Sequence, residues 1–213
     1  MNGVKIGDKH SISNWDLLLV KRSIETPSIK EKKVDIPARN GSIDLSDFFG
    51  EVKYNNRNIT MEFDMFQKPQ EWMNLKQQIT NYIHGRVHKI IFDNDANYYY
   101  KGRCKISSFD NETTVGHITI EADCEPYKYK IAETVITKAI TPNLLINCLN
   151  DRMTTIPTFT VTAQIKIKFN NVTYTVQAGT HKILDIVFKE GNNSITVVEG
   201  TGNITIKYQE GAL

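Results

Sequence analysis

Polar and apolar residues alternate along residues 57–65. The apolar residues occupy the odd positions and the polar residues the even ones: Ile59, Met61, Phe63 and Met65 against Asn58, Thr60, Glu62 and Asp64. Successive side chains of a β-strand point to opposite faces, so this period of two predicts a strand with one buried face.

Other apolar or alternating runs predict further strands in the first part of the chain. They cover residues 4–6, 15–24, 87–92, 98–106 and 117–122. The polar run Asp-Asn-Asp-Ala-Asn at residues 93–97 separates two of these strands and predicts the connection of a hairpin.

Residues 69–84 have the period of an amphipathic helix. Their large apolar side chains fall on one stripe: Trp72, Leu75, Ile79, Tyr82 and Ile83. Pro69 suits the first turn, Glu71 complements the positive end of the helix, and Gly85 suits a left-handed cap. We expect this helix to pack on the amino-terminal sheet.

The remainder of the chain has the pattern of an all-β domain without a helix. The predicted strands are residues 159–163, 165–169, 172–176, 181–189, 194–198 and 203–208, with turns at 170–171, 191–193 and 200–202. Regular short strands separated by turn residues predict a sandwich. A change of composition between Pro126 and Pro142 predicts two domains, residues 1–129 and 130–213.

Residues 34–46 combine short extended runs with turn residues. The run 34–36 ends at Pro37, which has no backbone N–H to donate. Asn40-Gly41 is a turn signal because both residues tolerate positive φ, and the alternation resumes at 42–46. This pattern predicts a turn-rich arm that pivots at Gly41 and presents exposed backbone and aliphatic side chains to a neighbouring copy.

Composition and charge exclude several classes of function. The chain has 213 residues, 40% hydrophobic residues and a formal charge of +2, without the clustered basic face of a nucleic-acid-binding protein. We expect no nucleic-acid partner, no membrane span and, from the polar amino terminus, no export by a signal peptide. Cys104, Cys124 and Cys148 form no CxxC motif, which predicts reduced, structural thiols.

The candidate chemical motifs are incomplete. Asp93, Asp95 and Asn97 match the start of a calcium loop, but Tyr98 and Cys104 stand where its glycine and glutamate belong. His84 and His88 are separated by Gly85, which should end the helix before a shared metal face can form. No serine, cysteine or histidine has a nucleophile motif. We therefore predict no catalytic residue, metal site or cofactor.

Two clusters remain open to a functional interpretation. Glu121, Asp123 and Glu125 occupy alternate positions and therefore lie on one face of a predicted strand. They could be the paired catalytic carboxylates of a glycosidase, or they could simply form a solvated face of the sheet. The solvated face is the favoured interpretation. The run 98–100 contains three tyrosines that could stack on sugars or bases, although in a strand at least one should enter the core.

Several stretches carry a resemblance to a known family. Residues 35–46, followed by residues 54–59, resemble the amino-terminal signature of the distal tail proteins of long-tailed bacteriophages. Ala38 stands where that family often has glycine, so we expect a less sharp turn there. Further similar stretches follow in the same order: residues 82–86, 93–103, 123–128, 178–180, 191–193 and 203–213.

The resemblance implies a mainly β protein, with an amino-terminal β-sandwich-like domain containing one α-helix and a carboxy-terminal galectin-like β-sandwich. It implies a structural virion protein, not an enzyme, that is assembled in the host cytoplasm. This protein would form a ring, usually hexameric, at the distal end of a siphophage or prophage tail. The implied partners are the major tail protein, the tape-measure protein and the tail-associated hub or lysin protein.

The candidate ring-contact residues lie in the predicted arm: Asp35, Pro37, Arg39, Asn40, Gly41, Ile43, Asp44 and Leu45. Arg39 and Asp44 are expected to make contacts between copies or within the arm's own turn. The alternative function is a carbohydrate-binding module that recognises host cell-wall saccharide, since a galectin-like sandwich could bind sugar directly.

Overall fold

The computed structural model describes residues 3–48, 50–110 and 115–213. The chain forms two compact units, Met1–Lys128 and Tyr129–Leu213. Strands account for 54% of the residues and helices for 11%, so the predicted mainly β fold is confirmed. In the described residues, no helix combines the length and the apolar character needed to cross a membrane.

The described residues of the first unit form strands, two α-helices and two short 3-10 helices. In chain order they are β1 (Val4–Ile6), β2 (Lys9–His10), α1 (Ser11–Trp15), β3 (Leu17–Ile24), β4 (Lys33–Asp35), β5 (Ser42–Asp44), β6 (Arg57–Met65), a 3-10 helix (Pro69–Glu71), α2 (Trp72–Ile83), β7 (Val87–Phe92), a 3-10 helix (Asp93–Asp95), β8 (Tyr98–Asp110) and β9 (Gly116–Cys124).

Seven of these strands form one antiparallel sheet, in the order β2-β1-β7-β8-β9-β6-β3. Strands β4 and β5 form a separate two-stranded hairpin. The edge strand β3 has an irregular register against β6 between Leu19 and Lys21, which places Val20 in a bulge.

The core of the first unit lies between the sheet and α2. Ile59, Met61, Phe63 and Met65 of β6 are buried, as the alternation predicts. On α2, the stripe Trp72, Leu75, Ile79 and Ile83 is buried and Tyr82 packs partly buried at its edge, which confirms the predicted amphipathic helix. Gly85 follows with φ = 76°, the left-handed conformation expected of a cap.

The predicted strand at residues 15–24 begins too early. Residues Ser11–Trp15 form the single-turn helix α1, and β3 starts at Leu17. The Nδ1 atom of His10 caps α1 by accepting a hydrogen bond from the Ile12 backbone N–H at 3.2 Å. Asp16 ends the helix with φ = 55°. The long helix is also shorter than predicted, because its first turn is 3-10 and α2 ends at Ile83.

The second unit consists of strands. After β10 (Lys128–Lys130), where the first unit gives way to the second, they are β11 (Thr134–Ala139), β12 (Leu144–Asn150), β13 (Thr158–Val161), β14 (Ile165–Phe169), β15 (Val172–Val176), β16 (Gly179–Lys182), β17 (Gly191–Gly200), β18 (Asn203–Tyr208) and β19 (Gly211–Ala212).

Two four-stranded antiparallel sheets of the second unit form a sandwich. Their orders are β11-β18-β13-β16 and β12-β17-β14-β15. One core cluster draws residues from both sheets, including Phe159 and Ile206 from the first and Ile167 and Ile195 from the second. The sandwich predicted for this half of the chain is therefore observed.

Two details of the predicted sandwich are wrong. The expected strand at 181–189 ends at Lys182, and Ile186 and Phe188 are buried from an irregular segment. The expected turn at 191–193 lies within β17, which begins at Gly191. The chain turns just before that strand, where the Asn193 side chain accepts from the Lys189 N–H at 2.9 Å and donates to the Lys189 carbonyl at 2.8 Å.

Candidate assembly site

A hairpin arm extends from the end of the sheet where β3 stops and β6 starts. Backbone hydrogen bonds continue the β3–β6 pairing into this arm, from Glu25 N–H to the Asn58 carbonyl at 3.0 Å and from Asn55 N–H to the Ser28 carbonyl at 2.8 Å. Lys30 N–H then donates to the Lys53 carbonyl at 2.8 Å. We call the described residues 25–48 and 50–56 the arm.

The outer part of the arm is the β4–β5 hairpin. Leu45 N–H donates to the Lys32 carbonyl at 2.7 Å, and Val34 then lies opposite Ile43 in the ladder. The ladder ends where Asp35 lies opposite Ser42. The predicted turn-rich arm therefore has a paired base, residues 25–30 with 53–58, and a second paired segment, β4–β5, whose tip is the six-residue connection 36–41.

The turn at the tip contains Ala38 in the left-handed conformation. Arg39 N–H donates to the Ile36 carbonyl at 3.2 Å, which closes a four-residue turn around Pro37 and Ala38. Ala38 has φ = 66°, so the turn has proline and a positive-φ residue in the positions of a type II turn. The alanine accepts a left-handed conformation that costs about 1–2 kcal/mol. The expectation that the turn is less sharp than one with glycine stays a prediction.

The arm exposes large apolar side chains. The exposed fractions are 47% for Ile29, 43% for Val34, 42% for Ile36 and 69% for Phe48. Single exposed apolar residues are normal on a protein surface, but several on one projecting hairpin indicate a binding surface. Ile29 and Phe48 were not among the predicted contact residues. The local sequence did not mark either residue as exposed.

All eight predicted contact residues lie on the outer arm. Asp35, Pro37, Arg39, Asn40, Gly41 and Asp44 are exposed, and Ile43 and Leu45 are half-buried. Gly41 has the positive φ expected of it, at 75°. Their role in contacts between copies remains a prediction.

The two charged candidates differ in their surroundings. Asp44 Oδ1 accepts from the Ser46 backbone N–H at 2.9 Å. Hydrogen bonds from the Ser46 side chain and backbone lower the pKa of Asp44, so it is a carboxylate that holds the arm's own chain. Among the described residues, Arg39 has no ion pair, which leaves its guanidinium available to another molecule.

Aromatic and cationic side chains fix the base of the arm to the sheet. The Tyr54 and Tyr127 rings meet edge to face, with centroids 6.0 Å apart. Arg57 is buried, donates to the Pro126 carbonyl and lies 5.6 Å from the centroid of the Tyr100 ring. Burial lowers the pKa of Arg57. These contacts set the direction in which the arm leaves the unit.

The acidic residues of the incomplete calcium loop have structural partners. Asp93 accepts from the Gly3 N–H at 2.9 Å and contacts His10 Nε2 at 3.0 Å. Asp95 pairs with Lys128 Nζ at 2.7 Å. Across residues 3–48, 50–110 and 115–213, no three histidine, cysteine or acidic side chains are grouped as metal ligands.

The two histidines considered for a metal face also bind the backbone. His84 Nδ1 accepts from the Ile106 N–H at 3.2 Å, and His88 Nε2 lies 3.1 Å from the Tyr82 carbonyl. Cys104, Cys124 and Cys148 are buried free thiols. Burial raises the pKa of Cys104 to about 12, so this thiol is neutral at physiological pH.

The remaining clusters form a solvated strand face. Glu121 pairs with Lys105 at 2.9 Å and Glu125 pairs with Lys101 at 2.7 Å. Of the three adjacent tyrosines, Tyr100 is 6% exposed and belongs to the core. Tyr98 and Tyr99 lie under the ammonium groups of Lys128 and Lys89, at 4.3 Å and 4.4 Å from their ring centroids. The carboxylates are thus part of a charged surface, as favoured from the sequence.

Comparison with known proteins gives a structural match over the full length. No family model and no curated protein sequence matches the chain. The architecture is that of a mainly β protein, and the chain has a Dit-like fold. It is similar to the crystal structure of SPP1 Dit (gp 19.1), described as a paradigm of hub adsorption apparatus in Gram-positive infecting phages. The TM-score is 0.73 at 15% sequence identity, and the match covers 100% of each chain.

Proposed function

We propose that this protein is a structural component of the tail tip of a long-tailed phage or prophage. The observation that carries the proposal is the Dit-like fold along the whole chain, together with the amino-terminal sequence resemblance to distal tail proteins. The protein acts by assembly, not turnover, in a ring at the distal end of the tail. Its partners in that position are the major tail protein, the tape-measure protein and the tail-associated hub or lysin protein.

The exposed arm supports self-assembly. A hairpin that displays Val34, Ile36 and Phe48 to water gains free energy when another surface covers these side chains. Because the arm leaves from one end of the unit, its contact with a second copy is head-to-tail, and such contacts close into a ring when the rotation between copies permits it. We propose six copies, which would have six times the mass of the 24.3 kDa chain.

The ring is tested on the full-length protein by light scattering at several concentrations and by negative-stain imaging. Val34→Asp and Ile36→Asp place a charge on the arm without touching the core, since both side chains are more than 40% exposed in the free chain. Val172→Asp and Leu184→Asp are matched controls on exposed residues of the second unit.

The wild type and both controls should form rings, and the two arm variants should remain folded monomers that unfold cooperatively, at melting temperatures that no longer depend on concentration. A wild-type protein that stays monomeric at every concentration contradicts the ring. Arm variants that assemble like the wild type contradict the role of the arm.

We propose that residues 1–129 form the ring and that residues 130–213 project from it as a galectin-like sandwich. The strongest support is the location of the arm within the first unit. When the two halves are expressed separately, the first should assemble and the second should remain monomeric, as measured by light scattering. The reverse result would assign assembly to the sandwich.

Sugar binding by the sandwich remains the alternative, and a glycan array tests it. The aromatic side chains of residues 129–213, all of which the structure describes, are buried or half-buried, with Tyr129 and Tyr174 the most accessible. Binding on the array that Tyr174→Ala abolishes would favour a carbohydrate-binding module.

A further inference from the structure

The end of the first unit away from the arm has a distinct surface. Strand β6 runs from Arg57, where the arm joins it, to Met65, and Phe66 and Gln67 follow. Nine residues at about 3.4 Å each separate the two ends by roughly 30 Å. Phe66 is 66% exposed at this far end. The arm and Phe66 therefore lie at opposite ends of the same strand.

A surface cavity of about 240 Å³ lies beside the start of α2. Its lining residues are Gln67, Glu71, Asn74, Leu75 and Gln78. The five side chains include one carboxylate and three carboxamides and no cation. In the described part of the chain, Glu71 makes no ion pair, and its side chain is exposed. A lining rich in oxygen acceptors is suited to a guanidinium, which carries five N–H donors in a plane.

The tip of the arm presents such a group. Arg39 is exposed between Ala38 and Gly41, the two tip residues with positive φ. Ile36, 42% exposed, lies at the other end of the same closed turn. The tip therefore combines one unpaired cation with one apolar side chain, and the far end of the unit combines one unpaired carboxylate with Phe66.

We propose that Arg39 of one copy binds the cavity beside Glu71 of the next copy, with Ile36 packing on Phe66. This inference rests on the proposed ring and names its contact. The contact is assigned to two copies because the arm joins β6 at Arg57, whereas the cavity follows the other end of that strand, roughly 30 Å away. Each copy gives one tip and receives one, which is the head-to-tail arrangement that a cyclic assembly requires.

Charge reversal tests the contact on the full-length protein. Arg39→Glu and Glu71→Arg, each alone, place like charges against each other. Each should weaken self-association by roughly 30-fold or more, as expected when one member of a desolvated charge pair is lost. Light scattering should then show monomers at concentrations where the wild type forms rings.

Mixing gives the decisive result. In a 1:1 mixture, the glutamate tip of the first variant meets the arginine cavity of the second, and the arginine tip of the second meets the glutamate cavity of the first. Alternating rings with an even number of copies should therefore form from two proteins that do not assemble separately. The double variant Arg39→Glu/Glu71→Arg should also recover assembly. Rescue in the mixture shows that both single variants are folded.

The controls make the same charge changes elsewhere. Arg86→Glu and Asp185→Arg alter exposed residues outside the arm and the cavity, and both should leave assembly unchanged. If the wild type forms rings but neither the mixture nor the double variant recovers them, the named contact is wrong and the ring stands. If the wild type forms no rings, the ring and the contact are both wrong.

Discussion

Gly102 of β8 lies directly opposite Cys124 of β9, with no space for a side chain between them. A Cβ atom at residue 102 would overlap the Cys124 sulfur and lie 2.5 Å from the Asp123 carbonyl oxygen. Gly102 belongs to one of the stretches that resemble the distal tail proteins. The close approach of the two strands explains why glycine is needed there.

Gly102→Ala should destabilise the first unit by about 1–3 kcal/mol, because the added methyl group overpacks a filled core. Urea unfolding monitored by tryptophan fluorescence measures the change. Adding Cys124→Ala removes the overlap with sulfur but not the one with the Asp123 backbone, so the double variant should recover only part of the loss. Full recovery would show that the sulfur alone excludes a side chain.

Ile79→Ala should lower the free energy of unfolding by about 2–5 kcal/mol, because the side chain is 0% exposed in the core between α2 and the sheet. Gln77→Ala is the matched control, since Gln77 is exposed on the same helix and should change stability by less than about 0.5 kcal/mol. Denaturant melts of both variants compare them directly. Equal melts for the two variants would mean that the stripe does not pack on the sheet.

Gly41→Val should disturb the tip of the arm through its backbone alone. Gly41 has φ = 75°, which a β-branched residue rarely adopts, whereas no atom lies within 4 Å of its Cβ position. Amide exchange at Ser42 should become faster while the global melting curve stays the same. Gly41→Asn should retain slow exchange, because asparagine tolerates positive φ. Fast amide exchange in both variants would mean that the added side chain, and not the positive φ of residue 41, disturbs the tip.

The three thiols should be unreactive in the folded protein. Burial raises the pKa of Cys104 and Cys124 to about 12 and of Cys148 to about 11. At pH 8 the thiolate needed for alkylation is thus scarce, and the sulfur is also shielded. Iodoacetamide labelling followed by mass spectrometry should add no label to the native chain and three labels in urea. Since these pKa values lie above those of the unfolded chain, their contribution to stability is lost as the pH rises above about 9.

The sequence predicts the parts of this fold that repeat a strong local pattern. Strand β6 and helix α2 each show their period over nine or more residues, and both are found with the predicted faces buried. Helix α1 was missed because five residues contain too few turns to show a period. Its cap is a histidine, His10, which is not among the usual capping residues.

The misplaced strand in the second unit has a different cause. Ile186 and Phe188 are two residues apart, as inward-facing strand residues are, and both are buried in the core, but from an irregular segment. The apolar residues at these positions therefore reflect burial in the core and not the period of a strand. Gly191-Asn192-Asn193 has the residue types of a turn, but the turn lies just before it. The Asn193 side chain closes that turn by hydrogen bonds to the backbone of Lys189. Local sequence does not show which residues a side-chain amide will bridge.

The candidate assembly site was predicted in its position but not in its extent. Asn40-Gly41 located the tip, since positive φ at Gly41 is a local property. The cavity lined by Gln67 and Glu71 was not predicted, because it forms only when the chain after β6 folds back beside α2. The exposure of Phe48 and Phe66 could not be predicted from the sequence either, since a phenylalanine is more often buried than exposed.

The arm leaves the first unit at one end only, so each copy has one donor end and one acceptor end in the proposed ring. A copy whose residues 34–43 are replaced by a short glycine-serine linker would keep its acceptor cavity and lose its donor. Such a copy can bind the growing end of a chain of subunits but cannot extend or close it. Added at a small fraction of the total, it would act as a chain terminator and convert rings into short open arcs.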